Sequence, residues 1–335
     1  MDTKKAKDFL AQYAIYFVLL ALIVAIAVYN TNFLSISTFR DVLLQSATRI
    51  IIALGMGFIL ITGGVDLSAG RVVGLAAVLS ASMLQSPDYS RLFFPGLSPL
   101  PLVLPIIVAI VASLMVGCIN GLVVSRLSVP PFIATLGTYV AVYGANSLYF
   151  DMKPNESQPI GGLRTDFTSL GSGSIGTGDY SLPYIVLIAI VVACIVWVIY
   201  NKTKLGKNMY AIGGNVNAAI VSGINVKWNL LVIYAIAAGL FGFAGVLEAA
   251  RTGGATNNYG NMYELDAIAA CVIGGVSTAG GIGTVPGILV GVLILTVINY
   301  GLTFVGISPY WQLIIKGSII VSAVAVDIRK YISKR

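Results

Sequence analysis

The amino-acid sequence of 335 residues contains no histidine. Because histidine is the usual proton carrier near neutral pH and the commonest metal ligand, its absence weakens any proton-coupled or metal-dependent function. It also excludes catalytic sets that pair histidine with serine or cysteine. No G-x-x-x-x-G-K-[ST] motif occurs, so the chain has no nucleotide site of the P-loop type. An enzymatic function therefore has little support, and we expect no cofactor and no bound metal.

Charged residues are scarce as well. Asp, Glu, Lys and Arg make up 10% of the chain and hydrophobic residues 57%, whereas a soluble domain carries about 25% charged residues. Apolar runs of about 20 residues, the length that crosses a bilayer as a helix, recur from end to end. Runs such as 185–198 lack the alternation of membrane β-strands. The sequence therefore predicts an all-α polytopic membrane protein, in which residues 1–335 form one transmembrane domain in contact with membrane lipid.

Cysteine is also rare. The chain has three cysteines, Cys118, Cys194 and Cys271, and each lies in an apolar run. An odd, scattered set gives neither a disulfide framework nor the spacing of metal ligands. We therefore expect all three to be small packing residues.

The excess of basic residues has a simple explanation in a membrane protein. The net charge is +7, and the lysines and arginines gather in a few short loops and near both termini. This is the positive-inside pattern of a cytoplasmic membrane protein. We therefore expect no nucleic-acid partner.

Ten apolar spans are predicted. They lie near residues 13–29, 42–62, 66–85, 101–124, 131–150, 183–200, 229–250, 263–281, 284–304 and 310–327. With a cytoplasmic N-terminus, the inner segments hold twelve lysines and arginines and the outer segments five. This asymmetry favours about ten transmembrane helices with both termini in the cytoplasm. We expect the first span to be retained, because bulky and polar residues follow it instead of a small-residue cleavage site.

Three longer loops connect these spans. Loops 86–100 and 151–182 lie on the predicted outer side and read either as contact or gating loops or as simple connectors. Loop 201–229 lies on the inner side, is basic, and contains a short helix candidate at 216–221. Its composition fits the docking of a cytosolic partner and, equally, a basic anchor that fixes topology.

Two glycine-rich stretches interrupt the apolar spans. In the first, Gly63-Gly64-Val65-Asp66, the aspartate is a candidate N-cap for the following helix. In the second, residues 254–277, Glu264 and Asp266 precede an apolar run that breaks at Gly274-Gly275. Acidic residues at a membrane edge followed by a glycine-broken span are typical of a transport route.

A single lysine lies well inside a predicted span. Lys316 must extend towards the membrane surface, pair with an acidic residue or line a wet cavity. Glu248, Glu264 and Asp266 are its candidate partners.

Polar residues inside the spans are the candidates for a substrate pathway or gate. A substrate that passes through needs hydrogen-bonding partners without tight binding, because the pathway must release it. The candidate residues are Asn120, Thr135, Asn146, Glu248, Glu264, Asp266 and Asn299.

Six segments carry a family resemblance. They are DLSAGRVVGLAAV (66–78), PPFIATLGT (130–138), NKTKLGKNMYAIGGN (201–215), VSGINV (221–226), ATNNYGNMYELDAIAACVIGGVS (255–277) and INYGLTFVGISPYWQLIIKG (298–317). On these segments the chain resembles the permease subunit of sugar-type ATP-binding-cassette (ABC) importers, the ribose/galactose permease family. The resemblance covers nearly the whole chain and is weakest in the outer loops 86–100 and 151–182.

The resemblance implies an assembly and a substrate class. Two copies of the chain, a homodimer in the bacterial inner membrane, would form the pathway for galactose, methyl galactoside or a similar monosaccharide. A cytoplasmic ABC ATPase subunit would engage loop 201–229, and an extracytoplasmic sugar-binding protein would dock outside. The ATPase-coupling positions that the resemblance implies are Gly206, Lys207, Tyr210, Gly213, Gly214, Asn215, Ala218, Ala219 and Gly223.

Two other functions remain possible from the residues alone. An ion-gradient-driven secondary sugar transporter is disfavoured by the lack of histidine and by the basic inner loop. A membrane scaffold without transport is disfavoured by the polar, glycine-broken spans.

Overall fold

Helices make up nearly all of the regular structure in the computed structural model, which describes residues 17–332 apart from 18, 22 and 177. The helices are α1 (Leu19–Tyr29), α2 (Ile36–Ile61), α3 (Ala69–Met83), α4 (Val103–Arg126), α5 (Pro131–Phe150), α6 (Thr165–Ser172), α7 (Tyr184–Lys202), α8 (Lys204–Gly214), α9 (Val216–Val221), α10 (Val226–Thr252), α11 (Tyr263–Ile273), α12 (Val285–Phe304) and α13 (Pro309–Ile332). Within the described part of the chain, the sheet is one short antiparallel pair, β1 (Ser174–Ile175) with β2 (Leu182–Pro183). The predicted all-α membrane class is confirmed.

Each of the ten predicted spans contains a helix, but the helices differ in length. Five of them, α2, α4, α7, α10 and α12, are long and apolar enough to cross a bilayer. By contrast, α3 has 15 residues and α11 has 11, which correspond to about 22 and 16 Å of helix. Within the predicted span 263–281, α11 ends at Ile273, which is where the sequence predicts a break at Gly274-Gly275. The start of the first span and the basic residues Lys4, Lys5, Lys7, Lys334 and Arg335 lie outside the described residues.

Local sequence signals set several helix boundaries. The side chain of Ser35 accepts a hydrogen bond from the amide of Thr38 at the start of α2. The side chain of Thr284 accepts one from the amide of Gly287 at the start of α12. These are N-caps that satisfy free amides of the first turn. α10 is followed by Gly253, whose φ of 70° is the left-handed conformation that glycine adopts at many helix ends.

The core is built around α2 and α10. The inner half of α2 is almost completely buried, and α10 packs against α2, α3 and α4. Gly117 and Gly121 of α4 lie directly against the backbone of α10 at Tyr234 and Leu231, so a side chain at either glycine would collide with it. Small residues allow such close helix contacts where lipid gives no hydrophobic driving force.

The loops separate into two ends of the molecule. At one end, the amide of Gly281 donates to the carbonyl of Ile61 at 2.8 Å, and the hydroxyl of Tyr210 donates to the carbonyl of Gly283 at 2.8 Å. At the other end, the loops 86–100 and 151–182 meet the segment after α10, for example in the bridge between Ile160 and Ala255. This is the grouping of loops that the predicted topology requires, so we call the first end inner and the second outer.

Candidate functional site

The loop 253–262 runs inward along α3 before α11 begins. A Cβ atom on Gly74 would collide with the carbonyl of Tyr259, and one on Gly70 would collide with the carbonyl of Gly260. Glycine permits this approach because it has no side chain. As a result, the loop reaches the beginning of α3, and α11 starts deep in the protein instead of at its outer end.

The first turn of α11 consequently lies beside the middle of α2. Asp266 Oδ2 is 2.7 Å from Nη1 of Arg49, and Arg49 lies halfway along the 26-residue helix α2. The sequence places Glu264 and Asp266 at a membrane edge, and this is wrong because the preceding loop descends along α3. A short helix that starts at mid-depth is a common element of transporter binding sites.

Asp266 is the centre of an ion-pair cluster. Its Oδ2 atom lies 2.7 Å from Arg49 and 3.1 Å from Nζ of Lys316, and all three side chains are at least 73% buried, Arg49 being the most exposed at 27%. Of the three alternatives for Lys316, the structure shows pairing with an acidic residue, and the partner is Asp266. The cluster connects α2, α11 and α13.

Glu248 forms a second cluster next to the first. Its carboxylate accepts hydrogen bonds from Arg251 at 2.6 Å, Thr48 at 2.9 Å and the hydroxyl of Tyr263 at 3.1 Å. The guanidinium of Arg49 lies 5.2 Å from the centre of the Tyr263 ring, which joins the two clusters. Both carboxylates are therefore engaged by protein groups and hold four helices together. Loss of one member of such a buried pair strands its partner.

The turn between α2 and α3 is held by two of the predicted residues. Asn120 Nδ2 donates to Oγ of Ser68 at 2.9 Å, and Thr135 Oγ1 accepts from the amide of Leu67 at 3.1 Å. Asp66 accepts from both the amide and the hydroxyl of Ser68. The N-cap position of α3 is Ser68, so the predicted N-cap at Asp66 is wrong by two residues; Asp66 instead stabilises the turn before the helix.

Three of the predicted pathway residues have a buried oxygen without a hydrogen-bond partner among the described residues. These atoms are Oδ1 of Asn146, Oε2 of Glu264 and Oδ1 of Asn299. Most buried polar atoms in proteins are paired, so an unpaired one often belongs to a functional site. Asn146 and Glu264 both approach α3, at Gly74 and Gly70. In the described part of the chain, no hydrogen bond joins the side chain of Asn299, on α12, to the other six residues.

Sequence reasoning missed Arg71, which is 7% exposed in the first turn of α3. Its guanidinium lies 4.6 Å and 4.3 Å from the ring centres of Tyr139 and Tyr143 on α5. It also donates to Oδ1 of Asn261 at 2.9 Å and, more weakly, to Oδ1 of Asn258 at 3.5 Å. The available signal was an arginine inside an apolar span, since such residues are costly and usually functional.

Helices α8 and α9 contain the positions that the resemblance assigned to ATPase coupling. Asn215 Oδ1 accepts from the amide of Ala218 at 3.0 Å and caps α9, and the predicted short helix at 216–221 is confirmed with the same bounds. Lys207, Gly214, Asn215, Ala218 and Gly223 are exposed.

The remaining coupling positions pack inward. Gly206 lies against the backbone of α7, Gly213 lies against the end of α2 and the amide of Gly281, and Ala219 is buried. Burial raises the pKa of Tyr210 above its ordinary value, so its phenol stays protonated and continues to donate to Gly283 at physiological pH. These residues connect the exposed surface of α8 and α9 to the inner end of α2 and to the loop after α11.

Comparison with known proteins gives a consistent set of similarities. The model of a family described as branched-chain amino acid transport system / permease component matches residues 38–324. The galactose/methyl galactoside import permease protein of Haemophilus influenzae is 52% identical over 335 residues, which are 100% of this chain and 99% of the relative. The protein of the same name from Escherichia coli K12 is 50% identical over the same shares. The ribose import permease protein of Bacillus subtilis is 37% identical over 313 residues, 93% of this chain and 91% of the relative. No solved structure gives a significant match.

Proposed function

Because the chain belongs to the family of branched-chain amino acid transport system permease components, we propose that it is the permease subunit of an ATP-driven ABC importer for galactose, methyl galactoside or a similar monosaccharide. The observation that carries this proposal is the identity of about half of all residues, over the full length, to galactose/methyl galactoside import permeases. The chain is a multi-pass protein of the bacterial inner membrane. It is a translocation subunit and not an enzyme, so ATP is hydrolysed by a separate subunit.

The inner surface of α8 and α9 is the proposed contact with the cytoplasmic ATPase. Val221 is 89% exposed and Ile220 is 56% exposed, and Lys207 and Lys204 add positive charge nearby. Exposed apolar residues beside polar ones are typical of a protein interface. Movement of this surface would reach the core through Gly213, which touches the end of α2.

The second copy of the chain is proposed to pack on the outward face of α5. Gly137 and Gly144 are exposed there and have no atom within 4 Å of a Cβ position, and Ala141 and Ala145 are exposed beside them. A face of small residues allows close approach of a second helix in a membrane. Helix α5 also exposes large apolar residues such as Val140 and Leu148. Helices α4 and α7 expose residues of this kind, such as Met115 and Val191, without any exposed glycine, and are proposed to face lipid.

The outer loops are proposed to receive the extracytoplasmic sugar-binding protein. They form one connected surface, because Gln85 pairs with Leu163 and Ile160 pairs with Ala255. Tyr180 is 84% exposed on this surface.

We divide the predicted pathway residues into two roles. Asn146, Glu264 and Asn299 have buried unpaired oxygens and are proposed to serve the pathway or its gates. Glu248 and Asp266 are proposed to fasten the helices that border it. Asn120 and Thr135 are proposed to hold the 65–68 turn in place.

Uptake of labelled galactose tests the proposed function. Vesicles would contain the chain, its ATPase and its binding protein, with or without internal ATP. We expect uptake only when ATP and the binding protein are both present. Uptake by the chain alone, driven by an ion gradient, would contradict the proposal and establish a secondary transporter.

A further inference from the structure

We propose that Arg71, Tyr139, Tyr143, Asn258 and Asn261, here called the Arg71 cluster, form a contact site for the sugar hydroxyls during transit. The inference rests on the proposed function and assigns it a site that sequence reasoning did not find. Three segments far apart in the chain build the cluster: α3, α5 and the loop before α11.

The chemistry of the cluster suits a neutral sugar. Planar polar side chains bind adjacent hydroxyl groups, and aromatic rings pack against the apolar faces of a pyranose ring. Arg71 donates to Oδ1 of Asn261 at 2.9 Å, which orients that amide, and only weakly to Oδ1 of Asn258 at 3.5 Å. Neither Nδ2 group has a hydrogen-bond partner among the described residues, so both remain free to donate to a hydroxyl group.

The cluster is accessible, although its central residue is buried. Arg71 is 7% exposed, whereas Tyr143 is 37% exposed, and Asn258 and Asn261 are both exposed. The rim of the cluster therefore consists of groups that can touch a ligand, supported from beneath by a fixed cation. If the cluster only held the helices together, we would expect the two asparagine amides to be buried as well as the guanidinium.

The position of the cluster also fits a transport pathway. Tyr139 and Tyr143 lie in the middle of the 20-residue helix α5, where exposed polar groups are costly if they face lipid. They lie on the helix that carries the exposed glycines of the proposed dimer face, but on the side of it that packs on Arg71 of α3, at least about 100° around the axis from Gly137 and Gly144. Two buried groups next to it lack partners in the described structure, Nε of Arg71 and Oδ1 of Asn146.

The test compares uptake with ATP hydrolysis in vesicles that hold the complete complex. The variants are Asn258→Ala, Asn261→Ala, Tyr143→Phe and Tyr143→Leu. Asn32→Ala, an exposed asparagine at the outer end whose side chain forms no hydrogen bond in the described structure, is the matched control. The substrates are galactose, methyl galactoside and 2-deoxygalactose, and thermal stability of each purified variant is measured alongside.

We expect Asn258→Ala and Asn261→Ala to lower galactose uptake by about five- to tenfold, because each removes a hydrogen bond made in transit. ATP hydrolysis stimulated by the loaded binding protein should persist, so that fewer sugars enter per ATP. The ratio of galactose to deoxygalactose uptake should change. Tyr143→Phe should keep most of the uptake, because the ring remains, and Tyr143→Leu should lose it.

Wild-type uptake and selectivity in all four variants would overturn the inference. So would a parallel fall of uptake, ATP hydrolysis and thermal stability, because that pattern indicates a structural role. Absence of ATP-dependent uptake by the wild-type complex would instead contradict the proposed function itself, and the inference would fall with it. If the wild-type complex transports and the variants are unaffected, the inference is overturned while the proposed function stands.

Discussion

Asp266 neutralises two cations at once, so its loss should destabilise the protein more than the loss of either cation. Both Arg49 and Lys316 lie within 3.1 Å of the same Oδ2 atom. If Lys316 is removed, Arg49 still neutralises the carboxylate. If Asp266 is removed, two mostly buried cations are left next to each other without a counter-charge.

We therefore predict that Asp266→Asn destabilises the chain more than Lys316→Met does. The expected cost of Asp266→Asn is about 3–5 kcal/mol, the usual range when one partner of a buried pair is lost. Lys316→Met keeps the length of the side chain and should cost clearly less. Thermal unfolding of both variants in the same detergent checks the order, and equal or reversed losses would show that the ion-pair cluster does not fasten α11.

Two adjacent glycines at the end of α8 provide a matched pair. A Cβ atom on Gly213 would collide with the carbonyl of Ile61 and approach the amide of Gly281, whereas a Cβ atom on Gly214 would have nothing within 4 Å. Backbone atoms cannot move away as a flexible side chain can, so overpacking at Gly213 must shift a helix or a loop.

The prediction is that Gly213→Ala destabilises the protein by about 1–3 kcal/mol and that Gly214→Ala leaves its stability nearly unchanged. The measurement is the thermal unfolding midpoint of each purified variant. A stable Gly213→Ala protein would mean that α8 does not pack against the end of α2 as described.

At the scale of elements, the sequence predicts where helices form, but it does not predict how deep in the protein a helix begins. The predicted bounds of helix α9 agree with the observed ones, and both ends depend on local residues: Asn215 caps the first turn, and Ser222-Gly223 follows the last residue. The depth of α11 was missed, since it depends on how the 253–262 loop packs against α3. The Arg71 cluster was missed for the same reason: its members come from three separate segments, and no local pattern brings them together.

Helix α9 also allows the most direct test of the proposed contact with the cytoplasmic ATPase. Val221→Asp places a charge on the most exposed apolar position of α9, so the ATPase should no longer bind with useful affinity. We expect the amount of ATPase that co-purifies with the chain to fall at least tenfold, which corresponds to about 1.4 kcal/mol. Thermal stability of the chain itself should not change, because the side chain is outside the core.

Tyr180→Asp is the control for this experiment. Tyr180 is comparably exposed, but it lies on the outer loops. Co-purification should stay at the wild-type level in Tyr180→Asp. Equal ATPase binding by Val221→Asp and the wild type would place the coupling surface somewhere other than α9.

At the scale of the whole molecule, different parts of the exposed surface fit different surroundings. Helices α4 and α7 expose large apolar side chains to the bilayer. Helix α5 exposes Gly137 and Gly144 among large apolar side chains such as Val140 and Leu148, and small residues of this kind allow another helix to approach closely. A second copy of the chain on this face would cover the small residues, in line with the proposed homodimer.

The dimer proposal predicts that bulk on the α5 face separates the copies without unfolding them. Gly144→Leu adds a large side chain at a position with no atom within 4 Å, so the fold of each copy should persist while close approach of two α5 helices is blocked. Gly317→Leu, at an equally open position on α13, is the matched control. Light scattering of the purified chain, corrected for detergent, should give the mass of a monomer for Gly144→Leu and of a dimer for Gly317→Leu and the wild type. A dimer in Gly144→Leu would exclude the α5 face as the interface.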